Sequence, residues 1–427
     1  MKISVRRTTM VRPSSTTPAV TLCSSNLDIL ISTYTNSILF FYKHLHDSPF
    51  FNPSTLAYAL GKTLIQFYPI AGRMIEHSDG HFQIRCNAAG VPFTEAESAT
   101  SLDDLDLTPG NRLKQLVPRV DSPDADGSYP ACAIKVTYFK NGGASVGVCI
   151  QHLVADGKAS LHFINSWSNA ARGCEVSLRP FINRQILLSR DPPRPSHDHP
   201  ELQLEPPRTR PLAAVQTSMF KMTREQINAL KANASGIEGT QKFTSVQILT
   251  AHIWKCACIA RGLEDTEKSV MYIDADCRAR FSPPLPAGYF GNAVYFAAAV
   301  EFAGDLKIRD SNYIASRIRS AINKLEEEYL RSAIDYIEVQ KSSAPVVEGY
   351  ETCSNPNLGL TSWVRFPLYE VDFGWGKPVF VCPPDVPCEG VVFYLPSPVD
   401  DGSVLVSIAL ESKHMKKFEK LIHTVVP

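Results

Sequence analysis

The stretch Val148-Cys149-Ile150-Gln151-His152-Leu153-Val154-Ala155-Asp156-Gly157 decides how the rest of the chain is read. An apolar run ends at Gln151, a histidine follows, and Asp156-Gly157 stands just before a helical pattern that puts Leu161, Ile164, Trp167 and Ala171 on one stripe. The order is therefore strand, corner, helix. Upstream, Ala131 to Phe139, the turn Lys140-Asn141-Gly142-Gly143 and Ala144 to Ile150 form a hairpin that delivers the histidine. Glycine at 157 tolerates the positive φ that such a corner can require. An imidazole is partly free base near pH 7, so His152 can take a proton from an incoming hydroxyl or amine. A single histidine at a strand end is more often a structural hydrogen-bonding residue, and the hairpin and helix around it are what raise the catalytic reading.

At 427 residues the chain is too long for one ordinary core, which predicts two domains. Hydrophobic content of 44% and charged content of 20% are those of a soluble globular protein. Lys+Arg and Asp+Glu both number 43, and the zero formal charge argues against general binding to nucleic acid or an acidic membrane. The opening residues alternate like a strand rather than a signal peptide, and no apolar run is long enough to cross a bilayer. The 11 cysteines include no CxxC pair, and several lie in apolar segments, which points to a reducing, cytoplasmic setting. His44 and His46 make an HxH without a third ligand cluster nearby, so no metal site is expected.

Along the chain, Asn52-Pro53 opens a helix carrying Leu56, Leu60 and Leu64, stopped at Tyr68-Pro69. Ile38 to Tyr42 reads as an apolar strand, and short strands alternate from Ile70 to Glu95. Pro192, Pro193, Pro195, Pro200, Pro206, Pro207 and Pro211 make the segment from Asp191 onward an extended connector. The expected division is 1–190, a crossover linker 191–212, and 213–427. In the second part, Thr223-Arg224-Glu225-Gln226 and Thr244-Ser245-Val246-Gln247 are capping boxes, the second opening a helix that ends at Gly262. Ile314, Ile318, Ile322, Leu325 and Tyr329 predict one long amphipathic helix. Strands are expected at Met271 to Asp274, Ala293 to Phe302, Thr361 to Arg365, Val391 to Leu395 and Ser403 to Ala409, with a closing helix from Glu411 to His423. Without regular βαβ alternation, the fold class is mixed α/β, an α+β arrangement with mixed sheets.

His152-xxx-Asp156-Gly157 together with Asp372-Phe373-Gly374-Trp375-Gly376 resembles the BAHD family of plant acyl-CoA-dependent acyltransferases. The resemblance extends through Thr9 to Pro13, Phe67 to Arg73, Leu161 to Trp167, Tyr289-Phe290-Gly291-Asn292 and Asn357 to Arg365, essentially the whole chain. Within the family the sequence looks most like the hydroxycinnamoyl-CoA:shikimate/quinate hydroxycinnamoyltransferases. The resemblance implies two chloramphenicol-acetyltransferase-like domains joined by the proline-rich crossover, with an active-site tunnel between them. It also implies a cytoplasmic monomer that uses acyl-CoA as co-substrate and carries no permanent cofactor. His152 would be the general base, and Trp363 or Thr361 would supply the donor for the oxyanion. Asp156 would be structural, paired with Arg278, as would Gly157 and Asp372 of the DFGWG loop. Ser245, Lys255, Arg278 and Arg280 are candidates for coenzyme A, because phosphates attract cations and donors.

On the acceptor side, the subgroup's polar pattern is matched by Thr35-Asn36-Ser37-Ile38-Leu39-Phe40, which loses hydroxyls at Ile38 and Phe40. The arginine that grips shikimate in the family corresponds to Glu348 here. Like charges about 4 Å apart repel by about 1 kcal/mol in water and about 4 kcal/mol at an intermediate dielectric. Shikimate is therefore expected to bind poorly, and an amine or neutral aromatic alcohol to bind better, although the retained Arg365 could still serve an acid. Two other readings stay open: a carrier-protein condensation domain, which usually has a histidine where this chain has Gln151, and a non-catalytic paralogue.

Overall fold

The computed structural model describes residues 1–31, 34–44, 50–76, 82–120, 122–140, 142–202, 214–234, 243–341 and 350–424. The chain divides into two units, each built from separated stretches. The first comprises Met1–Pro193, Ser282–Ala293 and Phe366–Asp385; the second comprises Arg194–Phe281, Val294–Arg365 and Val386–Pro427.

In the first unit a six-stranded mixed sheet runs in the order Ile3–Val11, Val91–Ser101, Cys132–Lys140, Gly143–Gln151, Thr35–Lys43, Phe380–Cys382. The hairpin expected to carry His152 sits at its centre, and all nine residues of Gly143–Gln151 are buried. A sheet covered on both faces asks for an unbroken apolar strand rather than an alternating one, which Val146-Gly147-Val148-Cys149-Ile150 supplies. The helices Pro53–Gln66 and Gly157–Ala171 pack together, and the Trp167 indole donates to the Leu56 carbonyl at 2.9 Å. A smaller four-stranded sheet contains Val20–Leu22, Phe82–Cys86, Arg73–Glu76 and Tyr129–Pro130.

The DFGWG loop was expected in the second half of the chain and belongs to the first unit. Aromatic packing explains why. The Phe373 ring lies 4.6 Å from that of Trp167 and 6.2 Å from that of Tyr42, while Phe380–Cys382 pairs with the edge of Thr35–Lys43. Gly374 and Gly376 both have φ of +101°, and the Asp372 carboxylate accepts from their N–H groups at 2.7 and 3.0 Å. The motif is thus a left-handed turn closed by its own aspartate.

The second unit has a six-stranded sheet in the order Val215–Met222, Val404–Glu411, Val391–Pro396, Leu358–Ser362, Lys268–Asp276, Val294–Phe302. The helix Ser245–Arg261 starts at the expected Thr244/Gln247 capping box and stops at Gly262, whose φ is 64°. The single long helix expected from Ile314 to Tyr329 is two, Ser311–Asn323 and Glu327–Gln340. The Arg280 guanidinium holds the break, donating to the Ile322 and Leu325 carbonyls at 3.1 and 2.9 Å. The Ile322 carbonyl also accepts from Leu325 N–H at 3.3 Å, so Arg280 gives this helix-end acceptor a second donor.

The described part of the proline-rich connector is anchored to the second unit rather than extended in solvent. Arg194 N–H donates to Asp335 at 2.7 Å, and Ser196 and His197 N–H both donate to Ser332 Oγ, at 2.8 and 3.0 Å.

Candidate active site

His152 follows the central strand of the first unit, its N–H held by the Tyr34 carbonyl at 2.8 Å. Its ring is fixed by a residue that the sequence reading quoted only as part of a motif. Asn292 Nδ2 donates to Asp28 Oδ1 at 2.7 Å and to the His152 carbonyl at 2.8 Å, which commits both amide protons. Asn292 Oδ1 must therefore accept, so the 3.1 Å contact with His152 Nδ1 is an Nδ1–H donation. The Nε2 lone pair is left as the base.

Asp28 holds Asn292 in turn. It ends the S-x-x-D capping box of the helix Asn26–Ile29, and its Oδ2 accepts from Ser25 N–H and Oγ at 2.7 and 2.8 Å. Its Oδ1 also accepts from Asn292 N–H at 3.0 Å and pairs with Arg184 Nη1 at 2.9 Å. Arg184 reaches the carbonyls of Leu153 and Val154, the two residues directly after the histidine. Arg184 and Asp28 are buried, with partners on Nη1, Nη2 and both carboxylate oxygens; among the described residues Arg184 Nε has none. The Ser25-xx-Asp28 capping box was missed in the sequence, although S-x-x-D is a local signal; its link to position 292 has no local signal at all.

Burial lowers the His152 pKa, and neither the Asp156 charge nor the Asn292 hydrogen bond restores it. The imidazole is then neutral over a wider range than an ordinary histidine, as a general base requires.

Asp156 is structural in what it touches. It N-caps Gly157–Ala171 through Ala159 N–H at 2.9 Å and accepts from Ala293 N–H at 3.0 Å. Gly157 does not adopt the positive φ that was expected. Its requirement is space, since a Cβ there would lie 2.9 Å from Phe366 Cε2.

The other expected residues divide clearly. Ile38 and Phe40 are 1% and 0% exposed and pack within the first unit. Asn36 lies on the same strand face and donates to Ser160 Oγ at 3.0 Å, whereas Thr35 at the strand start is exposed. Glu348 and His46 lie outside the described residues. Arg365 is exposed in a turn.

Of the residues assigned to coenzyme A, Ser245 lines a cavity of about 420 Å³ with Arg224, Ile227, Asn228, Lys231 and Gly402. Lys255 is enclosed and donates to the Arg309 carbonyl at 3.1 Å, Arg280 is engaged at the helix break, and Arg278 Nη1 donates to Asp276 at 3.1 Å.

Thr361 and Trp363 lie in the second unit. The Thr361 hydroxyl donates to Asp274 Oδ2 at 2.6 Å, so its proton is committed. Trp363 is buried, its ring against Phe393 at 5.4 Å.

The model of the Transferase family matches residues 1–424. The chain is 42% identical over 433 residues to shikimate O-hydroxycinnamoyltransferase of Nicotiana tabacum, with 99% of this chain and 100% of that protein covered. It is 41% identical over 448 residues to hydroxycinnamoyl-CoA:5-hydroxyanthranilate N-hydroxycinnamoyltransferase of Avena sativa, with 100% of both covered. Among solved structures it is similar to vinorine synthase, with a TM-score of 0.76 and 25% identity over 99% of this chain and 100% of that one.

Proposed function

This chain belongs to the Transferase family, the BAHD acyl-CoA-dependent acyltransferases, and from that premise we propose that it moves a hydroxycinnamoyl group from coenzyme A to a hydroxyl or amine acceptor. The observation that carries this reading is the His152 imidazole, neutral and held through Nδ1 by Asn292 so that Nε2 is the base.

As the acceptor attacks the thioester carbonyl, Nε2 removes its proton, a role worth about a hundredfold to ten-thousandfold in rate. The tetrahedral intermediate carries its charge on the former carbonyl oxygen. Of the two donors that the family resemblance offers for that oxygen, Trp363 and Thr361, the Thr361 proton is given to Asp274. Collapse breaks the C–S bond, and the departing thiolate takes the proton back from His152. The thioester is already activated, so no covalent enzyme intermediate is required.

The phosphates of coenzyme A belong in the cavity at Ser245. Arg224 and Lys231 bring positive charge to it, and the 17-residue helix Ser245–Arg261 starts there. The reading includes a monomer in the cytoplasm, supported by 11 cysteines that are all free; among the described residues no helix is long and apolar enough to cross a membrane.

Thiol release from p-coumaroyl-CoA, with shikimate, quinate, an aromatic alcohol and amines offered separately, tests the proposal. Acceptor-dependent release supports it. Release with none of them, or release that persists in full in His152→Ala, overturns it.

A further inference from the structure

The HxxxD spacing sets Asp156 four residues after the base, yet the acid that reaches the imidazole through hydrogen bonds is a different one. Among the described residues the one hydrogen bond of the His152 ring is to Asn292 Oδ1. Behind that amide stands Asp28, fully buried. Its Oδ2 accepts from Ser25 N–H and Oγ, and its Oδ1 accepts from Asn292 N–H, Asn292 Nδ2 and Arg184 Nη1. Every one of these partners is a donor, and an ionised carboxylate is a group that only accepts. Asp28, Arg184, Asn292 and His152 all belong to the first unit.

Which nitrogen of His152 carries the proton follows from which end of the Asn292 amide faces it. Turning Nδ2 toward the ring would set Oδ1 against two acceptors, Asp28 and the His152 carbonyl, which Nδ2 now meets at 2.7 and 2.8 Å. Asp28 is the charged one of the two, and hydrogen bonds to an ionised group are about twice as strong as neutral ones. The Asn292 N–H on the same oxygen also fixes where the side chain starts. Arg184 completes the brace, joining Asp28 to the carbonyls of Leu153 and Val154.

We propose that Asp28 is the acid partner of the base: acting through Asn292, it decides that Nδ1 rather than Nε2 of His152 carries the proton, and it is thereby a positioning residue for acyl transfer. The effect on rate rests on the acyl-transfer reading, and the effect on the ring rests on this geometry alone. No proton leaves Asp28 or Asn292. The amide passes on an orientation, as the acid of a hydrolytic triad holds the tautomer of its histidine without itself becoming protonated.

The first readout needs no substrate. In protein whose histidines carry nitrogen-15, the His152 ring signals are those missing from His152→Ala, and a protonated ring nitrogen is told from a bare one by its shift and its coupling to hydrogen. The wild type is expected in one neutral tautomer with the proton on Nδ1. Asp28→Ala should bring in the second tautomer and lower kcat about a hundredfold with KM little changed, the scale of a small misplacement. Asp28→Asn can turn its nitrogen to the Ser25 hydroxyl and keep its oxygen for Asn292, so it should recover about tenfold of that loss together with the single tautomer. Thermal unfolding checks that each variant is folded. Asp28→Cys, a weak acceptor of similar size, takes the place of Asp28→Ala should the alanine variant not fold. In an Asn292→Ala background Asp28→Ala should cost little more, because residues that act as one unit do not multiply their losses. An unchanged tautomer in the folded variant, equal losses in Asp28→Asn and Asp28→Ala, or fully multiplied losses in the double variant overturns the inference. A changed tautomer in a protein that transfers no acyl group supports it and places the failure with the acyl-transfer reading.

Discussion

Two histidines in this molecule are held in similar ways, and only one can act as a base. His199 is fully buried in the second unit, Nδ1 3.1 Å from Glu201 and Nε2 2.9 Å from Ser332 Oγ. As an inventory, this is a serine, histidine and acid in hydrogen-bond reach of one another. Yet Ser332 Oγ already accepts two backbone N–H groups from the connector, and both His199 nitrogens are used. Burial alone would raise Glu201, but bonds from His199, Tyr295 and Tyr329 outweigh it and hold the carboxyl below its ordinary value. His152 is partly exposed and uses one nitrogen, through an amide that carries no charge. A saturated histidine fastens a chain; one with a free, oriented nitrogen can take a proton.

The sharpest way to break that contrast is to remove each ring separately. His152→Ala should lower kcat by about a hundredfold to ten-thousandfold with little change in the unfolding midpoint. His199→Ala should do the reverse, destabilising by about 1–3 kcal/mol as Glu201 and Ser332 lose a buried partner, with turnover per folded molecule retained. Kinetics and thermal unfolding on the same two preparations decide it. A large kcat loss in folded His199→Ala would erase the distinction.

Asn292→Ala sharpens the comparison from within the first unit. Losing the Nδ1 acceptor frees the ring to rotate and to change tautomer, and misplacement of this kind costs about a hundredfold in kcat. The pH profile separates orientation from general damage. Burial already lowers the His152 pKa, and the Asn292 bond is among the contacts that oppose the lowering. In the wild type the base stays free as pH falls through the range where an ordinary histidine protonates, and kcat/KM drops only below it. Without Asn292 the acid limb should move lower still. An unmoved limb with an unchanged kcat would remove Asn292 from the positioning of His152.

What the sequence showed follows the range of the interactions. Hydrophobic period and local caps are signals within a few residues, and they placed the hairpin, the Pro53–Gln66 helix, both threonine capping boxes and the stop at Gly262. The long helix through Ile322 was misjudged because its period survives across a break that Arg280 fastens from 42 residues away. Assigning DFGWG to the second half failed for the same reason, since Phe373 finds Tyr42 and Trp167, far off in the chain. Ile38 and Phe40 lie where the strand is buried on both faces, and polarity in sequence does not separate a core position from a pocket wall. His152 was visible as a residue type at a strand end. Asn292, Asp28 and Arg184 were not legible as its support, because nothing in their local sequence says that they meet.

Gly157→Ala has the smallest expected effect and asks whether the corner after His152 is set by backbone conformation or by packing. The residue opens the Gly157–Ala171 helix and has no left-handed φ, so alanine meets no conformational barrier there. What it meets is Phe366, whose Cε2 would lie 2.9 Å from the new methyl. Relief requires the ring to move, and overpacking of this kind costs about 1–3 kcal/mol. The wider preference of alanine for helices returns part of that. The expected result is a modest fall in the unfolding midpoint that Phe366→Leu in the same chain partly reverses, because the smaller side chain makes room. If Phe366→Leu gave no relief, the glycine would be required for some reason other than contact with that ring. Whichever way the midpoint moves, His152 should keep its pH profile, since its orientation comes from Asn292 and not from the first turn of the helix.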